Sequence, residues 1–174
     1  MIVSLAPLLC HVAQADPIHA IADGGYWHHD SGWIFPEKIG EFVRVAIPQD
    51  VAGSRDAVAY YARTLNGTRA VASVDVYNTG SGNEREQPTG RLESDEAFAV
   101  GKAGALSGRR LIYVVGDGAT ATSTVVYAIA AGEWQVRIHI AGVPKDSMPM
   151  MDSFVLNQRW DTLTVAATSA ATLR

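Results

Sequence analysis

Cysteine is almost absent. Cys10 is the single one in 174 residues, and it lies in an apolar run at the amino terminus. Neither disulfides nor thiol chemistry are therefore expected in the folded part. Charge is sparse as well: Asp, Glu, Lys and Arg make up 18% of the chain, with a net charge of −4. The basic residues stand singly except for Arg109-Arg110. A nucleic-acid binder concentrates Lys and Arg in a patch or stripe; none is written here, so no nucleic-acid partner is expected. No apolar run reaches the length of about eighteen residues that a membrane-spanning helix needs.

Reaction motifs are missing too. There is no G-x-S-x-G nucleophile elbow and no H-E-x-x-H pair. "GKAGALSG" (101–108) has the wrong order for a phosphate loop, and "GDGATATS" (116–123) lacks its lysine. "GDG" lacks the alternating acidic ligands of a calcium loop. No cofactor is implied, and the lack of a reaction motif makes a non-enzyme the more expected reading without settling the matter. What is present is apolar residues at 48%, enough for one buried core in a chain of this length.

The amino terminus has the form of an export signal. "MIVSLAPLLCHV" is apolar, and Ala13-Gln14-Ala15 supplies a small-x-small cleavage site. Ala20-Ile21-Ala22 is a second such site, further from the apolar run. No Lys or Arg precedes the run, so the positive charge comes from the amino group or from an upstream segment. Leu8 and Leu9 before Cys10 argue against lipid attachment. The expectation is a signal peptide over 1–15, one domain over 16–163, a flexible tail over 164–174, and a periplasmic or secreted protein.

Residues 16–36 have no sustained period and form an extended lead-in. "EFVRVAI" (Glu41–Ile47) alternates, with Val43, Val45 and Ile47 on one side. "RDAVAYYARTLNGTRAVASVDVY" (Arg55–Tyr77) supports two readings. Val58, Tyr61, Ala62 and Leu65 fit helical spacing, with Ser54 as cap and Gly67 as stop. Asn66-Gly67 is also a strong hairpin turn, which would set Tyr61 opposite Ala72 and Ala59 opposite Val74; the hairpin is preferred.

Polar residues 78–93 suggest a loop. Ser94 with Asp95 and Glu96 then predicts a capped helix running to about Ser107 and ended by Gly108. "LIYVV" (Leu111–Val115), "TSTVVYAIA" (Thr122–Ala130) and "EWQVRIHI" (Glu133–Ile140) predict three strands of an antiparallel sheet with one covered face. Ser147 predicts the start of a last helix, with Pro149 in its first turn and Met150, Met151, Phe154 and Val155 as its apolar side. Together these predict an α+β domain: an antiparallel sheet of about five to six strands with two main helices.

"FPEKIGEFVRV" (Phe35–Val45), "AVAYYAR", "VASVDVY" (Val71–Tyr77) and "STVVYAIAAGEWQVRIHI" followed by a helix resemble a pattern in exported bacterial proteins. The element order resembles the PsbP-like superfamily, including the Ran-binding Mog proteins, from about Phe35 to Trp160. That resemblance implies a binding or assembly factor and carries over no catalytic residue.

Two candidate sites follow. Gln135, Arg137 and His139 share the polar side of one strand and could hold a small ligand or a partner, or be simply the wet side of a sheet. His28-His29-Asp30 between Trp27 and Trp33 could bind a metal. Adjacent residues on an extended chain point to opposite sides, however, so at most one histidine could join Asp30. The plainer reading packs Trp27, Trp33 and Phe35 and leaves both histidines in water. The functional expectation is an exported binding or assembly module for an unknown protein or small apolar ligand, with no membrane span. The alternative is a small exported enzyme or metal-binding protein using the His28–Asp30 segment. Export predicts cleavage after Ala15. N-terminal sequencing of the exported protein should begin at Asp16-Pro17; an intact Met1 in a cytoplasmic product would contradict it.

Overall fold

A computed structural model of the chain describes residues 17–50, 55–65, 67–80, 88–118, 121–144 and 147–163. The expected signal peptide and the expected tail lie outside the described residues. Three short strands come first: β1 (Ile18–Ala20), β2 (Tyr26–His28) and β3 (Ile34–Phe35), which form a small antiparallel sheet of their own. The main sheet comprises β4 (Lys38–Ile39), β5 (Phe42–Arg44), β6 (Gln49–Asp50), β7 (Ala57–Leu65), β8 (Thr68–Asn78), β9 (Arg91–Val100), β10 (Leu106–Val115), β11 (Thr122–Ala131) and β12 (Trp134–Val143). Its order is β4-β5-β7-β8-β12-β11-β10-β9, with β6 also pairing β7. One helix, α1 (Met148–Leu156), follows, and a helical turn lies at 160–163.

Between Arg55 and Tyr77 the hairpin forms. β7 and β8 pair with Tyr61 opposite Ala72 and Ala59 opposite Val74, the register that the hairpin reading set out; Asn66 of the expected turn lies outside the described residues. β10, β11 and β12 form the expected antiparallel meander, and α1 starts at Ser147 with Pro149 in its first turn.

The α+β expectation is wrong. Strand accounts for 57% of the described residues and helix for 13%, and the main path has eight strands rather than five or six. The error lies at Ser94–Ser107, which is not a helix but β9, a short 3-10 turn (Lys102–Gly104) and the start of β10. Gly101 and Gly104 have φ of 79° and 69°, whereas a helix needs about −63°; they turn the chain between the two strands. Gly108, expected to end a helix, lies inside β10. A Cβ there would fall 2.1 Å from the Ala128 carbonyl oxygen of β11, so the strands close up only around glycine. Asp95 and Glu96 do not serve a helix start. They form ion pairs with Arg109 and Arg110 on the neighbouring strand.

The core lies on one face of the main sheet. Trp134, Val136, Ile138 and Ile140 of β12 are buried there beside Val74 and Val76 of β8 and Val125, Tyr127 and Ile129 of β11. Large side chains meet small ones, with Ala72 between Tyr61 and Ile140 in register. The cover comes from two sources. Met151, Phe154 and Val155 of α1 are buried against the sheet, with Phe154 4.5 Å from Phe42 and 5.6 Å from Tyr61, ring to ring. The lead-in supplies Trp33 and Phe35, both fully buried, and Trp33 packs edge-on to Trp160 at 5.1 Å. Polar contacts hold the lead-in in place. Tyr61 donates its hydroxyl to the Pro36 carbonyl at 3.0 Å. Arg44 donates to the Phe35 and Gly24 carbonyls at 2.8 Å each and lies over the Tyr26 ring.

Candidate functional site

Side chains alternate across a strand, so the residues between the buried ones on β12 point to the opposite face. These are Gln135, Arg137 and His139, in a line along β12 whose successive Cα atoms a strand spaces about 7 Å apart. Register supplies their neighbours: Tyr77 and Ala130 flank Gln135, Asp75 and Ala128 flank Arg137, and Ser73 and Val126 flank His139. The Tyr77 hydroxyl donates to Gln135 Oε1 at 2.6 Å, and Ser73 donates to Asp75 at 3.1 Å. His139 Nε2 is buried without a hydrogen-bond partner. Burial, and then the Arg137 charge, lower the imidazole pKa against the opposing pull of Asp75, so His139 is neutral at pH 7.

Apolar side chains flank this polar line. Val43 pairs with Ala62, and Ala62 with Val71, while the Val45 amide donates to the Tyr60 carbonyl. Val43, Val45, Tyr60 and Val71 are 46%, 48%, 43% and 37% exposed, and Ile47 beyond them is 65% exposed. Of the run expected to alternate as a strand, only Phe42–Arg44 form β5, with Phe42 as the buried residue; Val45, Ala46 and Ile47 lie beyond it and are all exposed. On the far flank Leu92 pairs with Tyr113, and Leu92 and Val115 are again exposed. Arg109, on the same face, is matched by Asp95 through two hydrogen bonds.

The His28–Asp30 segment divides. His28, at the end of β2, is fully buried rather than in water, with its ring 5.7 Å from Trp134. Its Nδ1 lies 2.7 Å from Ser31 Oγ, and that oxygen also accepts the Trp33 amide at 3.1 Å. His28 Nε2 has no hydrogen-bond partner. Desolvation lowers its pKa, Asp30 and Asp56 oppose that, and Arg55 reinforces it. His29 faces solvent, its ring tilted against that of Trp27 at 5.1 Å. Asp30 accepts from Arg55 Nε at 2.8 Å and lies 3.5 Å from His29 Nδ1. The two histidines are not brought to one point. Among the described residues no group of three or more His, Cys, Asp or Glu side chains is placed to hold a metal ion.

One polar cluster escaped the sequence reading. Asp152 of α1 accepts the Tyr127 hydroxyl at 2.7 Å and Arg110 Nη1 at 2.9 and 2.7 Å. Arg110 also pairs with Glu96, which accepts from Ser94 at 2.6 Å. Burial and the Asp152 carboxylate raise the Tyr127 pKa, while Asp152, with help from Glu96, outweighs burial and raises that of Arg110. The cluster docks the helix on the sheet. Its signal in the sequence was an aspartate beside Met151 and three residues before Val155, on the apolar side of the helix.

The buried and exposed histidines predict unequal effects. His28→Ala removes a packed ring and should cost about 2–4 kcal/mol; His29→Ala should stay within about 0.5 kcal/mol. A lowered His28 pKa means that the unfolded chain takes up a proton near pH 6.5 that the folded state refuses. Stability is then full above pH 6.5 and falls as the pH drops below it; His139 adds in the same direction. Thermal melts of the wild type between pH 7.5 and 5 should show the decline, and His28→Gln should reduce its slope. An unchanged slope would contradict the assignment.

Among the described residues no helix is long and apolar enough to cross a membrane. No protein-family model, curated protein or solved structure matches the chain.

Proposed function

We propose that the protein is an exported, non-enzymatic binding module that engages a partner protein through the face of the main sheet opposite the core. The observation that carries this reading is the run of exposed Val43, Tyr60 and Val71 on adjoining strands, with Val45 just past the end of β5. Contiguous exposed apolar side chains rimmed by polar ones favour protein contacts. Gln135 and Arg137, half-buried on β12, make the polar side of this run, while His139 Nε2 beside them is buried. The charge on this face is balanced: Arg109 is paired with Asp95, and Arg137 stands opposite Asp75. That balance suits a protein surface better than a polyanion. The exposed apolar residues are spread over neighbouring strands, although Val126 and Thr124 further along the same face are buried; such a spread suits a macromolecule better than a small ligand, which needs a concave site. Export rests on the apolar amino terminus and its small-x-small site. The alternative, an enzyme or metal site at His28–Asp30, would need further ligands converging on that segment, and among the described residues no group of three or more is so placed.

The test is site-specific photo-crosslinking in the exporting host. A photoreactive residue at Val45 or Tyr60 should give a discrete adduct, and one at exposed Leu156 on α1 should not. Val43→Glu should remove the Tyr60 adduct while leaving the melting temperature within about 2 °C, as a surface substitution does. Equal adducts from Leu156, or none from Val45 or Tyr60, would contradict the reading.

A further inference from the structure

On the other side of the sheet a second feature stands apart from the face just described. A cavity of about 400 Å³ opens between the β4–β5 turn and the first turns of α1. This is the lower part of the ~300–1,000 Å³ range of small-molecule sites. Ile39, Phe42, Met150 and Phe154 give it apolar walls, and Arg63 of β7 lies among them.

Arg63 is unusual for its position. It follows Ala59 and Tyr61 at alternate places on β7, so it points to the core face, and its side chain is only 23% exposed. Its charge is met by Glu41, at the tip of the β4–β5 turn, whose side chain is 66% exposed. Its other contact is the Met150 thioether, a weak acceptor. Arg110, at the other end of the sheet, contrasts with it, being held by both Asp152 and Glu96. A half-buried guanidinium with five donors is thus held by one solvated carboxylate and a sulfur, at the edge of an apolar cavity. A carboxylate that brings its own apolar tail can replace Glu41, which then returns to water at little cost because it is already exposed. Met150 is flexible enough to fit its side chain around such a tail.

We propose that this cavity binds a medium-chain anionic amphiphile, with its headgroup on Arg63 and its tail against Ile39, Phe42, Met150 and Phe154. The headgroup chemistry is a small oxyanion; a carboxylate and a sulfate ester share it, and only the carboxylate reproduces the Glu41 geometry.

The test is calorimetric titration of the purified protein at pH 7.5 with decanoate below its micelle concentration. Saturable binding at one site is expected. Decanol, with the same tail and no charge, should bind at least tenfold more weakly, and so should butyrate, with the charge and a short tail. Decyl sulfate should bind no more tightly than decanoate; tighter binding would overturn the carboxylate preference. Arg63→Gln should weaken decanoate at least tenfold, and Glu41→Gln, which removes the competing carboxylate, should tighten it. Backbone amide shifts on titration should concentrate in 39–42 and 149–154, a readout that does not depend on any variant folding. Absence of saturable binding, equal affinity for decanol, indifference to Arg63→Gln, or shifts centred elsewhere would each overturn the proposal.

Discussion

A broad sheet must hide one face, and this chain has little helix to do it with. Eight strands at about 4.8 Å spacing span about 34 Å, while the nine residues of α1 reach about 14 Å. The rest of the cover has to come from elsewhere, and the lead-in supplies it. Trp33 and Phe35 lie on the same core face as α1, and the Trp33–Trp160 contact joins the two parts of the cover. Arg44 and Tyr61 then fix the lead-in by donating to its backbone carbonyls. His28 belongs to this layer, as its edge-on contact with Trp134 shows.

The same constraint separates what was legible in the sequence from what was not. The β7–β8 hairpin and the β10–β12 meander could be read because β8 and β12 alternate with a period of two and β10 and β11 are continuous apolar runs bounded by glycine-bearing turn signals. β9 could not. It is the edge strand, and most of its residues are exposed on both faces, so no apolar alternation marks it. Ser94, Asp95 and Glu96 have the composition of a helix start, and only pairing with β10 reveals their role in cross-strand ion pairs. Gly101 and Gly104 argued for strand ends more strongly than for a weak helix.

The candidate sites divide in a similar way. Gln135, Arg137 and His139 were legible as one face of β12, since local alternation decides that. The apolar residues beside them were legible only in part, because Val43 takes the outer side of β5 when Phe42 takes the inner one, and Val45 and Ile47 lie beyond that strand. The burial of His28 depends on Trp134, more than a hundred positions away, and local sequence carries no trace of that. Asp152 was hidden for the same reason: Tyr127 and Arg110 reach it only once the strands pair.

Two environments therefore lie on either side of one layer of backbone. One face holds the fold together through Trp134, Val136, Ile138 and Ile140; the other is left to meet a partner. The chain itself allows this division to be measured, because Cys10 is the only cysteine and single cysteines can report on each face once it is replaced. Maleimide labelling of Tyr60→Cys and Val71→Cys, set against Val74→Cys on the neighbouring buried position, measures it most directly. The account predicts that the first two label in the isolated native protein at rates close to those of the denatured chain, while Val74→Cys stays protected. Protection of Tyr60→Cys equal to that of Val74→Cys would show that the face is covered by the protein's own chain, and would contradict the account.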